Sequence, residues 1–214
     1  MGEAARKIES PVWTLRAFLD TDFTDQHGDL RVELIDGQVV VAQAAPSRAH
    51  ARLTAELGRL IGNAIERRQL RCFTESGSDV QVEGRAVGLL RDSAFIPDLQ
   101  IRCGRTGEDG EPAVVIEILS PGNRAKHIQL KLRAYMLLPS LRDILFVHQD
   151  EPLVLHHRRD DDGRWVGPDA LSGPDAVLRI EQLGFEVRLQ DLYRNVLPPP
   201  EPAEGQPEPA EGEP

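Results

Sequence analysis

Residues 113–121 read AVVIEILSP, an apolar run broken by a single carboxylate, Glu117. A strand with one face in water alternates apolar and polar residues, so a run without alternation predicts a strand covered by structure on both faces. The stretch after SPGN, from about Ala125 to Leu138, sets Ile128, Leu132, Tyr135 and Met136 on one side and predicts a helix. A further strand, DILFVHQ at 143–149, follows it. Strand, helix and strand in this order predict a crossover connection and an α/β fold.

Working outward, VELIDGQVVVAQ at 32–43 places an Asp-Gly pair between two β-rich runs. This is a hairpin signal with its turn at Asp36 and Gly37, and it puts Glu33 on the first strand. From Ser47 to Arg68, Leu53, Leu57, Leu60, Ile61, Ala64 and Ile65 recur at three and four and predict a long amphipathic helix. A short helix is expected over 10–20, with Ser10 and Pro11 as cap and first-turn pair. RCFTES and SDVQVE read as strands. In AFIPDLQIRC at 94–103, Pro97 opens or edges a strand, so Asp98 falls at a strand start. EPLVLHHR, DDDGRWVG and AVLRIEQLGFEVRLQDLYRN supply further short strands and a last helical turn. One domain is expected over 1–196. The Pro- and Glu-rich residues 197–214 bury too little apolar surface to order and are expected to form a disordered tail.

The formal charge of −10 argues against a nucleic-acid partner, but the tail alone carries five Glu and no basic residue, which leaves −5 for the rest. Two basic stretches survive: Arg48, Arg52, Arg59, Arg67, Arg68 and Arg71 against Glu56 and Glu66, and Arg124, Lys126, Lys131 and Arg133. A solvated helix face and a phosphate-contacting surface both explain the first. No apolar run reaches the roughly 18 residues of a membrane span, and MGEAARKIES lacks the apolar stretch of a secretory signal. A cytoplasmic protein is expected, with Cys72 and Cys103 as reduced thiols. Walker-type, GxGxxG and GxSxG motifs are absent, which removes nucleotide-binding and serine-hydrolase readings. His156 and His157 are adjacent on a predicted strand, point to opposite faces, and are expected at the surface.

A buried carboxylate needs a partner, because an unpaired charge loses several kcal/mol of solvation. For Glu117 the candidates are a salt bridge, a proton or a metal cation. Asp98, at the start of a neighbouring predicted strand, offers a second carboxylate. Hard divalent ions such as Mg²⁺ or Mn²⁺ take oxygen ligands, keep several waters and lower the pKa of a bound water, which suits phosphodiester hydrolysis. Lys131 lies on the helix after the Glu117 strand and is one of three lysines in the chain. Its ammonium can orient an attacking water, or form a plain ion pair with Glu117.

Taken in order, Glu33 with LIDG, His50 at the start of the long helix, IPD ending at Asp98, VVIEILSP around Glu117, and Lys131 with Tyr135 resemble the Uma-type putative restriction endonuclease family. That family belongs to the PD-(D/E)XK nuclease superfamily, and the resemblance spans about Trp13 to Asn195. It implies a restriction-endonuclease-like core, a mixed β-sheet flanked by α-helices. Asp98 and Glu117 are the implied metal ligands, Lys131 activates water, Glu33 is a further acidic ligand or water-orienting group, and His50 is a ligand or proton carrier. The implied activity is hydrolysis of phosphodiester bonds of DNA, or of RNA, with Mg²⁺ or Mn²⁺. Pairing of two sites would make a homodimer. The alternatives are a catalytically inactive nucleic-acid-binding or assembly module on the same fold, and an interaction protein that never meets DNA. The chain also departs from the family: the superfamily's lysine position, two residues after Glu117, is Leu119; His127 stands where relatives carry Asp; and ILFVHQD replaces an aromatic-rich strand.

Overall fold

The computed structural model describes residues 12–23, 31–41, 46–83, 91–104, 110–121 and 125–198. The tail beyond residue 198, Arg124, Ser10 and Pro11 lie outside the described residues. A six-stranded sheet is built from β3 (Cys72–Glu75), β6 (Leu99–Cys103), β7 (Glu111–Leu119), β8 (Asp143–His148), β9 (Leu153–Arg159) and β10 (Trp165–Ser172). Its spatial order is β10-β9-β8-β7-β6-β3. β7 and β8 run parallel, and α3 (Ala125–Met136) crosses between them. Every other neighbouring pair in this sheet is antiparallel, so it is mixed, as the AVVIEIL run and the following helix predict.

A second, four-stranded antiparallel sheet has the order β2-β1-β5-β4, from β1 (Val32–Ile35), β2 (Gln38–Val41), β4 (Val80–Val82) and β5 (Ser93–Phe95). Its β1–β2 hairpin turns at Asp36 and Gly37, whose φ angles of 50° and 73° are both positive. A two-residue turn of this hand matches the strand twist, and glycine reaches such angles without steric cost.

Two cores cover the six-stranded sheet. On one face, α2 (Arg48–Arg67) lays Leu53, Leu57, Ile61, Ala64 and Ile65 on Leu99, Ile101, Val114, Ile116, Ile118, Leu145 and Val147. The hairpin of β11 (Val177–Ile180) and β12 (Phe185–Arg188) and the short α4 (Leu189–Tyr193) close that side. On the other face, Ala134 and Tyr135 of α3 meet Val115, Ile144 and Phe146 together with Phe95, Val80 and Val82. Alternation along β7 divides its side chains: Ile116 and Ile118 point to α2, Val115 and Glu117 to α3.

Several expectations need correction. Helix α1 is Leu15–Leu19, capped by Thr14, whose hydroxyl accepts the Ala17 N–H. In AFIPDLQIRC, Pro97 and Asp98 do stand at the start of a strand, β6, while Ala94 and Phe95 belong to β5 of the other sheet, and Ile96-Pro97-Asp98 is the link between them. His156 and His157 do point to opposite faces, but both are buried. β10 adds outside β9 and makes it an interior strand. His156 Nε2 lies 2.7 Å from Asp143 Oδ1, while the His157 ring stands edge-on to Phe146. Cys72 and Cys103 are not free thiols: β3–β6 register sets them opposite each other and they form a disulfide. Their 31-residue separation gave no spacing motif that could show the pairing. Among the described residues no helix is long and apolar enough to cross a membrane. The arginines at 48, 52, 59, 67, 68 and 71 are exposed, and Arg48, Arg52 and Arg59 share the side of α2 turned away from its core stripe.

Arg159 fixes the end of α3. Its guanidinium donates to the carbonyls of Leu141 at 2.9 Å, Gly163 at 2.6 Å, and Met136 and Leu138 at 3.2 Å, and lies 4.5 Å from the Trp165 ring centroid. Planar donors in a rigid fork suit several carbonyls at once, which an ammonium cannot match. Arg159→Ala should lower stability by about 2–4 kcal/mol, since it removes hydrogen bonds to four carbonyls as well as losing the stack. Urea unfolding monitored by circular dichroism checks this, with a loss under 1 kcal/mol as the contrary result.

Candidate active site

Glu117 is the seventh of nine residues in β7, near the carboxyl end of a central strand. In β6, Leu99 pairs with Ile116, so the next position in register sets Asp98 opposite Glu117. The Pro97 link leaves Asp98 just outside the strand, where its Oδ2 accepts the Ile118 N–H at 2.8 Å. The two carboxylates sequence reasoning singled out are therefore neighbours across one strand pair.

Helices deliver the other groups from opposite faces. Lys131 and Tyr135, four apart on α3, project to the same side. Lys131 Nζ is 3.0 Å from Glu117 Oε1, and the Tyr135 hydroxyl donates to the same oxygen at 2.6 Å. Lys131 Nζ also donates to Glu33 Oε1 at 2.9 Å, and that oxygen accepts the Ile96 N–H at 3.0 Å. The opposite face contributes His50, from the first turn of α2, whose Nε2 is 3.1 Å from Asp98 Oδ2. Ser47 caps this helix: its hydroxyl accepts the His50 N–H and donates to Gln149 Oε1 at 2.7 Å, tying the helix start to the end of β8.

One residue in the site has no place among the sequence expectations. Arg31 Nη1 donates to Asp98 Oδ1 at 3.1 Å, and Nε stands 3.7 Å from Glu33 Oε1. Its signal was available in RVELIDG: Arg31 precedes Glu33 by two, and residues two apart on an extended chain share a face. Leu119 occupies the face of Glu117 where the superfamily pattern puts lysine, and packs with the apolar cluster under α3. His127 is half-buried in the first turn of α3.

Three carboxylates thus face two permanent cations, and the electrostatics follow. Burial pushes the Glu117 carboxyl up from the ordinary value; Lys131 opposes this, but the charges of Asp98 and Glu33 add to it and the net direction is upward. Burial would also raise Asp98, yet the hydrogen bond and charge of His50, the Ile118 amide and Arg31 carry it below the ordinary value. Burial alone would lower Lys131, but Glu117 and Glu33 hold the ammonium above its usual range. The Tyr135 hydroxyl is raised well above its ordinary value by burial and by Glu117, so it donates to the carboxylate and stays protonated.

Does this donor set fit a divalent cation? Among the described residues no group of three His, Cys, Asp or Glu side chains is placed to hold a metal ion. Mg²⁺ needs no such cage, since one or two carboxylates and retained waters suffice. Among the described residues both side-chain hydrogen bonds to Glu117 fall on Oε1, and the excess of carboxylates over cations is the imbalance an added positive charge relieves. Asp98 and Glu117 fit. His50 is engaged with Asp98.

The cluster lies at the end of a mixed β-sheet flanked by helices, an α/β architecture. Residues 16–190 match the model of the Uma2 family, described as putative restriction endonuclease, and the chain belongs to this family. The chain is similar to an uncharacterized protein of Synechocystis sp., 22% identical over 172 residues that cover 77% of this chain and 84% of that one. Its fold is similar to the crystal structure of a putative nuclease from Anabaena variabilis, with TM-score 0.66, 18% identity, and coverage of 85% of this chain and 97% of the other.

The upward shift of Glu117 has a consequence for stability. A carboxyl whose folded-state pKa lies above its unfolded value loses stability as pH rises from the unfolded to the folded value. Glu117→Gln removes that loss and keeps an acceptor for Tyr135. In EDTA the melting temperature of the variant relative to the native protein should rise as pH climbs from the ordinary carboxylate range toward neutral. Thermal melts between acid and neutral pH measure this; a difference that stays constant or falls with rising pH would refute it.

Proposed function

We propose that this protein is a Mg²⁺- or Mn²⁺-dependent endonuclease that hydrolyses phosphodiester bonds of DNA. The observation that carries this reading is the buried pairing of Asp98 with Glu117 beside Lys131, in a cluster with more carboxylates than cations. Asp98 and Glu117 would hold the ion, which when bound supplies a polarising charge on the phosphate and a water of lowered pKa. The other groups act on protons and positions. Lys131, kept charged by Glu117 and Glu33, has an ammonium that can hold the attacking water and stabilise charge growing on phosphate oxygens. Glu33 anchors that ammonium through Oε1, itself fixed by the Ile96 amide. Tyr135 locks the Glu117 carboxylate, and His50 with the Ile118 amide orients Asp98. His50 as a third ligand would require its ring to leave Asp98 Oδ2. A homodimer would pair two such sites across a duplex.

The second reading is a catalytically inactive nucleic-acid-binding or assembly module. It draws on the ion pair weighed from sequence, Lys131 with Glu117, and on Arg31 at Asp98: each carboxylate of the cluster already has a side-chain cation within 4 Å. The test is cleavage of supercoiled plasmid and single-stranded DNA in Mg²⁺, Mn²⁺ and EDTA. Cleavage should require metal and fall more than about 100-fold in Asp98→Ala and Glu117→Gln, the order expected when a group acting on the transition state is removed. Undiminished cleavage in both variants sinks the assignment, and no cleavage by a folded protein moves the binding module ahead.

A further inference from the structure

Arg31 is poorly satisfied where it stands. Among the described residues, Nη1 alone of its donor nitrogens makes a hydrogen bond, to Asp98 Oδ1. Nε and Nη2 are buried and, among the described residues, have no hydrogen-bond partner. The nearest acceptor for Nε, Glu33 Oε1 at 3.7 Å, is already used by Lys131 and by the Ile96 amide. Nε and Nη2 form one edge of the guanidinium, with parallel N–H bonds spaced for two oxygens of a carboxylate or phosphate. The side chain therefore presents a two-pronged donor edge with nothing on it, in a cluster that holds it by charge. Burying such donors unpaired is costly, so the attraction of Asp98 and Glu33 is what maintains the pose.

That attraction is what a divalent cation on Asp98 and Glu117 would remove. The cation would compete for Asp98 Oδ1 and repel the guanidinium. A third of the Arg31 side chain is exposed, so it has a way out toward solvent. We infer that Arg31 is a substrate-contacting residue that exchanges Asp98 for the DNA backbone: its Nε–Nη2 edge takes two nonbridging oxygens of a phosphate once a divalent cation displaces Nη1 from Asp98. This rests on the metal-dependent nuclease reading and adds a coupling to it, since cation and strand then favour each other through Arg31. Lys131 does not duplicate this contact, because an ammonium is a point charge without a two-pronged donor edge.

The experiment measures binding without cleavage. Mn²⁺ affinity of the DNA-free protein is read by calorimetry, and affinity for a short labelled duplex by fluorescence anisotropy in Ca²⁺ and in EDTA over a range of salt. Arg31→Gln removes the competing charge and the paired donors. It should bind Mn²⁺ at least about threefold more tightly than the native protein, yet bind duplex in Ca²⁺ about tenfold more weakly, a typical loss for one bidentate contact. Its salt slope in Ca²⁺ should drop by about one, with no difference from the native protein in EDTA. Arg31→Lys keeps the charge and loses the planar edge, so it should restore native Mn²⁺ affinity without restoring duplex affinity; it decides the matter if the glutamine variant does not fold. Unchanged or weaker Mn²⁺ binding in Arg31→Gln, or unchanged duplex affinity in Ca²⁺, overturns the inference and leaves the nuclease reading standing. A native protein that binds no Mn²⁺ overturns both.

Discussion

The carboxylate of Glu117 sits inside a stretch of strand, Ala113–Leu119, that is otherwise wholly apolar, and the arrangement around it answers that single placement. A charge there is held only if cations, donors and geometry are brought to it. Tyr135 and Lys131 reach it from α3, and they can do so because Ala134 and Tyr135 pack that helix onto the sheet. Asp98 faces it because the β6–β7 register ends there. Arg159, at the far end of α3, clamps the helix from which the lysine projects. The apolar framework and the polar cluster are thus one structure: the first sets the angles at which the second can form.

Much of this was legible from residue patterns. The continuous run around Glu117 gave a buried central strand, the Asp-Gly pair gave the hairpin that presents Glu33, and the spacing from Leu53 to Ile65 gave the long helix whose first turn carries His50. Asp98, Lys131 and Glu33 come together with Glu117 because each was tied to an element whose type the pattern fixed. Illegible features were those set by distance in the chain. The disulfide depends on the β3–β6 register, which no local spacing encodes. His156 and His157 became interior only because β10 pairs outside β9. Dividing 94–103 between two sheets needed knowledge of where β5 finds its partners, and a proline at the boundary could not say whether it opened a strand or separated two. Arg31 was legible in principle, from its two-residue offset to Glu33, but an arginine at a strand start is ordinary unless the carboxylates it meets are known.

The cluster also shows why function and stability pull apart here. Carboxylates that repel one another, a guanidinium with unpaired donors and a desolvated ammonium are each unfavourable in the resting protein. They are supported by the apolar packing on both faces of the sheet, which is extensive enough to carry them. Such arrangements concentrate where chemistry is done.

The short link Ile96-Pro97-Asp98 passes from one sheet to the other, and the site draws on all three parts: Glu33 from the four-stranded sheet, Asp98 from the link, Glu117 from the six-stranded sheet. Each sheet's hydrogen-bond ladder would survive a small rotation of one against the other, because ladders are internal to sheets. The spacing of the three carboxylates would not. The geometry of the cluster is therefore a finer gauge of inter-sheet alignment than melting temperature. Apolar residues between the sheets, Val80 and Phe95, the second with its ring 5.3 Å from that of Tyr135, set its focal length.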